Sequence, residues 1–160
     1  MIDYAIVTIS DSGARGERLD VSGNTIKEIM PETSYRLLDR QLIPDDYQRI
    51  VDTLKELSHR VNLILTTGGT GFSPRDITPE ATKAVIERET PGISEALRAY
   101  SLTITPRAML SRATSGIVGR CLIINLPGSP KAVKESLEYL LDPLEHGLDI
   151  LLQLDSECAR

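Results

Sequence analysis

The run Leu63-Ile64-Leu65-Thr66-Thr67 stops abruptly at Gly68-Gly69-Thr70-Gly71, and Asp76 and the pair Thr78-Pro79 follow it. That order reads as a buried strand, a glycine-rich loop, an acidic side chain and a helix start. Pro at a first helical turn has its φ preset and loses no backbone hydrogen bond there. The glycines admit positive φ and let other groups approach the backbone closely. Consecutive backbone N–H groups in such a loop can bind phosphate or pyrophosphate. The spacing matches neither the Walker A loop nor the dinucleotide G-x-G-x-x-G pattern.

The same strand-then-helix order recurs along the chain. Tyr4 to Ile9 is apolar and β-branched, a buried strand. It ends at the turn cluster Ser10-Asp11-Ser12-Gly13, and a polar loop runs on through Asp20. Ser22 is placed to cap a helix running to about Met30. A second strand region holds Leu37, Leu38, Leu42 and Ile43. Tyr47, Ile50, Val51, Leu54 and Leu57 recur at helical spacing. A third strand covers Val61 to Thr67, and a helix runs from Thr78 to about Glu87. After the break at Pro91-Gly92, a helix passes through Glu95-Ala96-Leu97. Ser115 to Val118 and Cys121 to Leu126 form a hairpin about Gly119-Arg120. Ala132 to Leu140 and Leu144 to Leu154 read as two further helices. Strands alternating with helices predict an α/β fold. The expected architecture is three-layer, a mostly parallel central sheet with helices on both faces and an antiparallel hairpin at one side. A length of 160 residues predicts a single domain over residues 1–160.

Composition narrows the partners. The net charge is −5 with no dense basic run, which argues against nucleic acid as a partner. No apolar run approaches about 18 residues, so no membrane span is expected. The N-terminal Met1-Ile2-Asp3-Tyr4 has an acid where a signal peptide has a basic region. Cys121 sits in an apolar run and reads as a buried inert thiol. Cys158 lies in a polar tail. With no disulfide framework or zinc spacing, a cytoplasmic protein is expected.

Ligands of open parallel sheets bind outside the carboxyl ends of the strands. The candidate segments are therefore Ser10-Asp11-Ser12, Pro44-Asp45-Asp46, Thr66 to Asp76, and Asn125 to Lys131. Asp45 and Asp76 could each hold Mg²⁺, which takes one or two carboxylates and completes its shell with phosphate and water. Asp45 equally suits a helix cap before Tyr47, with Asp46 the purer cap of the two. Asp76 equally suits a loop ion pair with Arg75 or Arg107. Pro127-Gly128-Ser129-Pro130-Lys131 starts a helix whose N–H groups favour an anion, with Ser129 and Lys131 within reach. The same residues also make an ordinary capped helix start. Ser111-Arg112 offers a guanidinium for an anion, or a plain surface arginine. His59 and His146, on predicted helices, read as surface or interhelix residues. Tyr100, Leu102, Ile104 and Met109 are either core or an apolar interface.

These segments together carry a resemblance. The series Ser10-Asp11, Asp20-Val21-Ser22-Gly23, Ile43-Pro44-Asp45, Thr66 to Gly71, Arg75 to Ala81, Glu89-Thr90-Pro91-Gly92, Met109-Leu110-Ser111-Arg112 and Asn125 to Lys131 resembles the MogA/MoaB family of molybdenum-cofactor biosynthesis proteins. It is equally similar to the G domains of plant and animal molybdopterin adenylyltransferases, gephyrin included. The resemblance spans Thr8 to about Leu151. It implies transfer of AMP from Mg²⁺-ATP to the molybdopterin phosphate, with release of pyrophosphate. It implies Asp45 and Asp76 as the catalytic pair and tentative Mg²⁺ ligands. It implies binding contacts from Thr67, Gly68, Gly69, Thr70 and Gly71, and from Pro127, Gly128, Ser129 and Lys131. Ser10, Asp11, Ser111 and Arg112 join them as further ligand contacts. It also implies a homotrimer or hexamer, and hand-over of the product to a molybdate-insertion protein. The compact length is typical of MoaB-like members, some of which bind molybdopterin without catalysis. It argues against the insertion activity itself, which uses a longer multidomain chain.

Overall fold

A computed structural model describes residues 1–154. Its strands are β1 (Ile2–Ile9), β2 (Tyr35–Ile43), β3 (Leu63–Thr67), β4 (Arg88–Glu89), β5 (Ser115–Val118) and β6 (Cys121–Leu126). Its helices are α1 (Asp11–Ala14), α2 (Val21–Ile29), α3 (Tyr47–Ser58), α4 (Thr78–Val85), α5 (Pro91–Leu102) and α6 (Pro130–Leu152). A 3-10 turn covers Pro106–Leu110. The strands form one sheet in the order β2-β1-β3-β6-β5-β4. β1 is parallel to β2 and β3, and β3 is parallel to β6, while β5 runs antiparallel to β6 and β4. The expected mostly parallel α/β sheet with its antiparallel side is present.

Alternation along the strands builds the three layers. Tyr4, Ile6, Leu63, Leu65, Leu122 and Ile124 face α2, α5 and α6 through Ile26, Leu97 and Leu137. Ala5, Val7, Ile9, Ile64 and Ile123 face α3 and α4 through Ile50, Leu54, Leu57 and Ala81. Right-handed crossovers explain the split. The chain leaves β1 for β2 on one side, then returns past β1 to β3 on the other. α2 and α3 therefore land on opposite faces. β1 is the switch point, and the carboxyl ends of β1 and β3 are open there.

Register aligns those ends. Thr8 pairs with Thr67, and Thr67 pairs with Leu126. Ser10, Gly68 and Pro127 thus leave the sheet side by side. Ile9 pairs with Ile43, which brings Pro44-Asp45 to the same end.

Several expectations are corrected. Asp20, not Ser22, caps α2, and its carboxylate accepts the Gly23 N–H at 2.9 Å. The first strand starts at Ile2 and the second at Tyr35, while the third starts at Leu63. The Asp11 segment contains a helical turn, and α4 stops at Val85. His59 is the C-cap of α3 rather than a residue within it. β4 has two exposed polar residues and exists through its pairing with β5. The two expected C-terminal helices are one, running through Pro143. Proline inside a helix costs about 3 kcal/mol. Leu140, Leu144, Leu148 and Leu152 continue a buried stripe across it, and each buried leucine contributes about 1.5–3 kcal/mol. Burial outweighs the local penalty, and Pro143 sits on the exposed side of the helix. Cys121 is buried, and burial pushes its thiol up to about 12, so it is inert. Cys158 lies outside the described residues. Among the described residues no helix is long and apolar enough to cross a membrane.

Candidate active site

The carboxyl ends of β1, β2, β3 and β6 bring the four candidate segments together. The glycine loop after β3 is pinned from below by α4. The buried Thr78 hydroxyl donates to the Gly68 carbonyl at 2.9 Å, and its N–H donates to the Gly69 carbonyl at 3.1 Å. Gly68 and Gly69 have φ of 98° and 69°, the left-handed region that glycine tolerates. A methyl on Gly69 would overlap the Thr78 hydroxyl and lie 3.2 Å from Asp45 Oδ1. A methyl on Gly71 would lie 2.9 Å from Asp76 Oδ2. The loop therefore runs against both candidate acids. Gly128 packs beside Gly68, where a methyl on Gly128 would sit 3.5 Å from the Gly68 Cα.

Asp76 closes its own loop. Its Oδ2 accepts the Gly71 N–H at 3.0 Å and the Ser73 N–H at 3.2 Å. Asp45 Oδ2 accepts the Asp11 N–H at 3.0 Å. Asp46, not Asp45, caps α3, through the Arg49 N–H at 2.8 Å. Arg75 pairs with Asp11 rather than with Asp76. Hydrogen bonds from Arg75 hold the Asp11 carboxyl below its usual range. Asp45 is the opposite case. Burial raises its pKa, the Asp11 N–H opposes that, and the charges of Asp11 and Asp76 raise it further.

The sign of the Asp45 shift gives a stability prediction. A carboxylate whose folded pKa lies above its ordinary value of 3.8 destabilises the fold once ionised. Stability is lost as pH rises through the window above 3.8 and stays lost at neutral pH. Asp45→Asn keeps an acceptor for the Asp11 N–H and removes the charge. It is expected to melt slightly higher than the parent at pH 7 and equally at pH 3, by thermal denaturation.

Two cavities open on either side of the loop Thr67–Gly71. The larger, about 410 Å³, is lined by Ser10, Thr67, Gly68, Gly128 and Ser129, together with Thr8, Arg18, Asp20 and Ser22. The smaller, about 290 Å³, is lined by Thr70, Gly71, Ser111 and Pro127, together with Leu97, Arg98, Arg107 and Asn125. More of the exposed lining of the larger cavity is polar, while the smaller has an apolar wall of Leu97, Ala108 and Leu110.

Several residues expected to meet a ligand also hold the site together. The Thr67 hydroxyl donates to the Pro127 carbonyl at 2.6 Å. Arg112 Nε donates to the Gly71 carbonyl at 2.8 Å, its Nη2 to the Asp76 carbonyl at 2.6 Å, and its Nη1 to Glu80. Its guanidinium thus clamps both ends of the Asp76 loop. Ser129 caps α6 through the Ala132 N–H at 3.2 Å. Lys131 lies outside both cavities, 82% exposed and 3.9 Å from Glu135. The Ser111 hydroxyl accepts the Ala113 N–H at 3.3 Å and lines the smaller cavity.

Further ties within the site join partners that the sequence does not pair. The Ser22 hydroxyl donates to the Gly128 carbonyl at 2.6 Å, across 106 positions. Asn125 is buried and donates to the hydroxyls of Thr66 and Thr82, both at 3.0 Å. Thr8 donates to Asp20 at 2.9 Å, and Arg40 Nη2 reaches the same carboxylate at 2.7 Å. Their partners follow from the order of strands and helices in space and not from neighbours along the chain.

A family model described as "Probable molybdopterin binding domain" matches residues 5–146. The chain belongs to the MogA/MoaB family of molybdenum-cofactor biosynthesis proteins. It is 37% identical to the molybdopterin adenylyltransferase of Helicobacter pylori, over 94% of this chain and 88% of that one. It is 41% identical to gephyrin of Dictyostelium discoideum over 91% of this chain, but spans 22% of that longer protein. The crystal structure of the molybdopterin biosynthesis enzyme MoaB from Thermus thermophilus superposes with a TM-score of 0.90 at 44% identity, covering 96% of this chain and 98% of that one.

Proposed function

We propose that this chain is a molybdopterin adenylyltransferase that transfers AMP from Mg²⁺-ATP to the molybdopterin phosphate and releases pyrophosphate. The observation that carries the reading is the convergence of Asp45 and Asp76 on one glycine loop that separates two cavities. Two substrates must meet at such a reaction centre, and two cavities adjoin it. An oxygen of the pterin phosphate attacks the α-phosphorus of ATP, and the bond to the β-phosphate oxygen breaks. The attacking phosphate is already ionised, so the step needs no strong general base, and no histidine lines either cavity. Positioning and charge neutralisation do most of the work in phosphoryl chemistry.

The donor set suits magnesium. Asp45 is partly desolvated among acids, and a cation would relieve that repulsion. One or two carboxylates suffice where substrate phosphates supply other oxygens. Asp45 and Asp76 would hold the ion, which when bound neutralises phosphate charge and stabilises the leaving pyrophosphate. The chain itself supplies the backbone N–H groups of Gly68 to Thr70 and of the Gly128–Ser129 loop, and the hydroxyls of Ser10 and Ser111. These bind and orient the phosphates.

The test is a product assay with molybdopterin, ATP and Mg²⁺. Adenylylated pterin and pyrophosphate in equal amounts are expected. Pterin binding without ATP-dependent product would instead make the chain a non-catalytic MoaB-like carrier. We place the activity in one domain spanning the chain, in the cytoplasm, with hand-over of the product to a molybdate-insertion protein. We also assign it a homotrimer, or a hexamer of trimers. Leu102, Ile104 and Met109 support an interface rather than core, being 45%, 44% and 65% exposed on one segment. Light scattering is expected to give a mass of three or six chains.

A further inference from the structure

Asp11 is tied to both candidate catalytic acids. Its N–H donates to Asp45 Oδ2 at 3.0 Å, and the Asp45 N–H donates back to Asp11 Oδ1 at 3.0 Å. The two residues are 34 positions apart and clasp each other across the ends of β1 and β2. Arg75 then grips the same carboxylate with both arms of its fork. Its Nε donates to Asp11 Oδ2 at 3.0 Å and its Nη2 to Asp11 Oδ1 at 3.1 Å. Arg75 immediately precedes Asp76 in the chain. One carboxylate thus links the backbone of Asp45 to the loop that carries Asp76.

We propose that Asp11 is a positioning residue that fixes the separation of Asp45 and Asp76, and not a ligand contact. This rests on the adenylyltransferase reading of the site. Both oxygens of Asp11 are engaged within the protein, by the Asp45 N–H and by the Arg75 guanidinium. The ion pair is not explained by stability. Arg75 is 64% exposed, and exposed pairs add little to a fold. A bidentate Arg–carboxylate pair does add geometric specificity. Specificity of placement matters at a reaction centre, where a shift of about 1 Å costs about 10²-fold in rate. Arg112 grips the other side of the same loop through the Gly71 and Asp76 carbonyls. Asp76 is therefore held between two arginines, one anchored on Asp11.

Two variants and two readouts test this. The readouts are the hydrogen exchange of the Asp45 amide without ligand, and the separate values of kcat and KM for ATP. In Asp11→Ala the Asp45 amide loses its acceptor and is expected to exchange faster. Its kcat is expected to fall about 10²-fold with KM for ATP within about twofold of the parent. Asp11→Asn keeps the acceptor for the Asp45 amide and is expected to restore slow exchange and part of kcat. A rise in KM for ATP at unchanged kcat would make Asp11 a ligand contact and overturn the proposal. So would an Asp45 amide that exchanges identically in Asp11→Ala and the parent. A parent chain that makes no adenylylated pterin would defeat the enzyme reading, while the exchange measurement still judges the clasp by itself.

Discussion

AMP transfer by the Asp76→Ala variant is expected to fall by about 10²- to 10³-fold, the scale for removing one preorganised stabilising group from a reaction centre. The fold is expected to survive. The Asp76 carboxylate holds the Gly71 and Ser73 amides within its own loop, and each such bond is worth about 0.5–1.5 kcal/mol. Arg112 grips this loop through main-chain carbonyls, which the substitution leaves in place. Thr78 likewise continues to hold Gly68 and Gly69. Asp76→Asn separates charge from shape, because its amide oxygen can accept the same two N–H groups. Equal losses in both variants, read as kcat/KM beside thermal melting, would assign the effect to the charge. Recovery in Asp76→Asn would assign it to loop shape, and full activity in Asp76→Ala would remove the residue from the chemistry.

Gly68→Ala is expected to destabilise the protein by about 2 kcal/mol or more and to abolish transfer. Two costs add there. The left-handed φ of 98° strains any residue with a Cβ, by about 1–2 kcal/mol. The new methyl would also overlap the Ile9 carbonyl oxygen. That oxygen belongs to β1, a buried strand flanked by β2 and β3, and cannot rotate away. The strand ends must spread, and Gly69 moves from Asp45 with them. Gly16→Ala is the control. Its φ of 75° is also positive, but nothing lies within 4 Å of the new methyl. It is expected to cost about 1 kcal/mol with activity kept. Denaturant midpoints compare the two, and a smaller shift for Gly68→Ala than for Gly16→Ala would show that the loop accommodates a Cβ.

Local chemistry was legible in the sequence wherever it depends on neighbours along the chain. The stop from Thr67 into three glycines, the cap by Asp46 and the proline-led starts of α4 and α6 all follow from residues within a few positions. So does the parallel sheet, since each long strand is followed by a helix. What depends on distant partners was not legible. Thr67 and Arg112 look like ligand contacts, because a hydroxyl and a guanidinium beside a glycine loop are suited to phosphate. Their partners, Pro127 and the Asp76 loop, lie 60 and 36 positions away. Arg75 was open to pairing with Asp76 beside it, and it reaches Asp11 instead. Pro143 broke the helical pattern locally, while the leucine stripe that carries α6 through it takes its energy from the sheet. Asp45 and Asp76 are legible as acids that follow strand ends, where parallel sheets bind ligands, and both lie against one glycine loop.

The span of the bonds that close the site also bears on how the chain reaches activity. Asp11 to Asp45, Thr67 to Pro127, Arg75 to Asp11 and Ser22 to Gly128 join positions 34, 60, 64 and 106 residues apart. Closing loops of that length loses chain entropy before any contact compensates it. Non-local pairings of this kind slow folding. None of the four ties can form in an isolated βα unit. The ties of Thr67 to Pro127 and of Ser22 to Gly128 need residues beyond β6, so a nascent chain that ends before β6 holds both acids without the second glycine loop beside them.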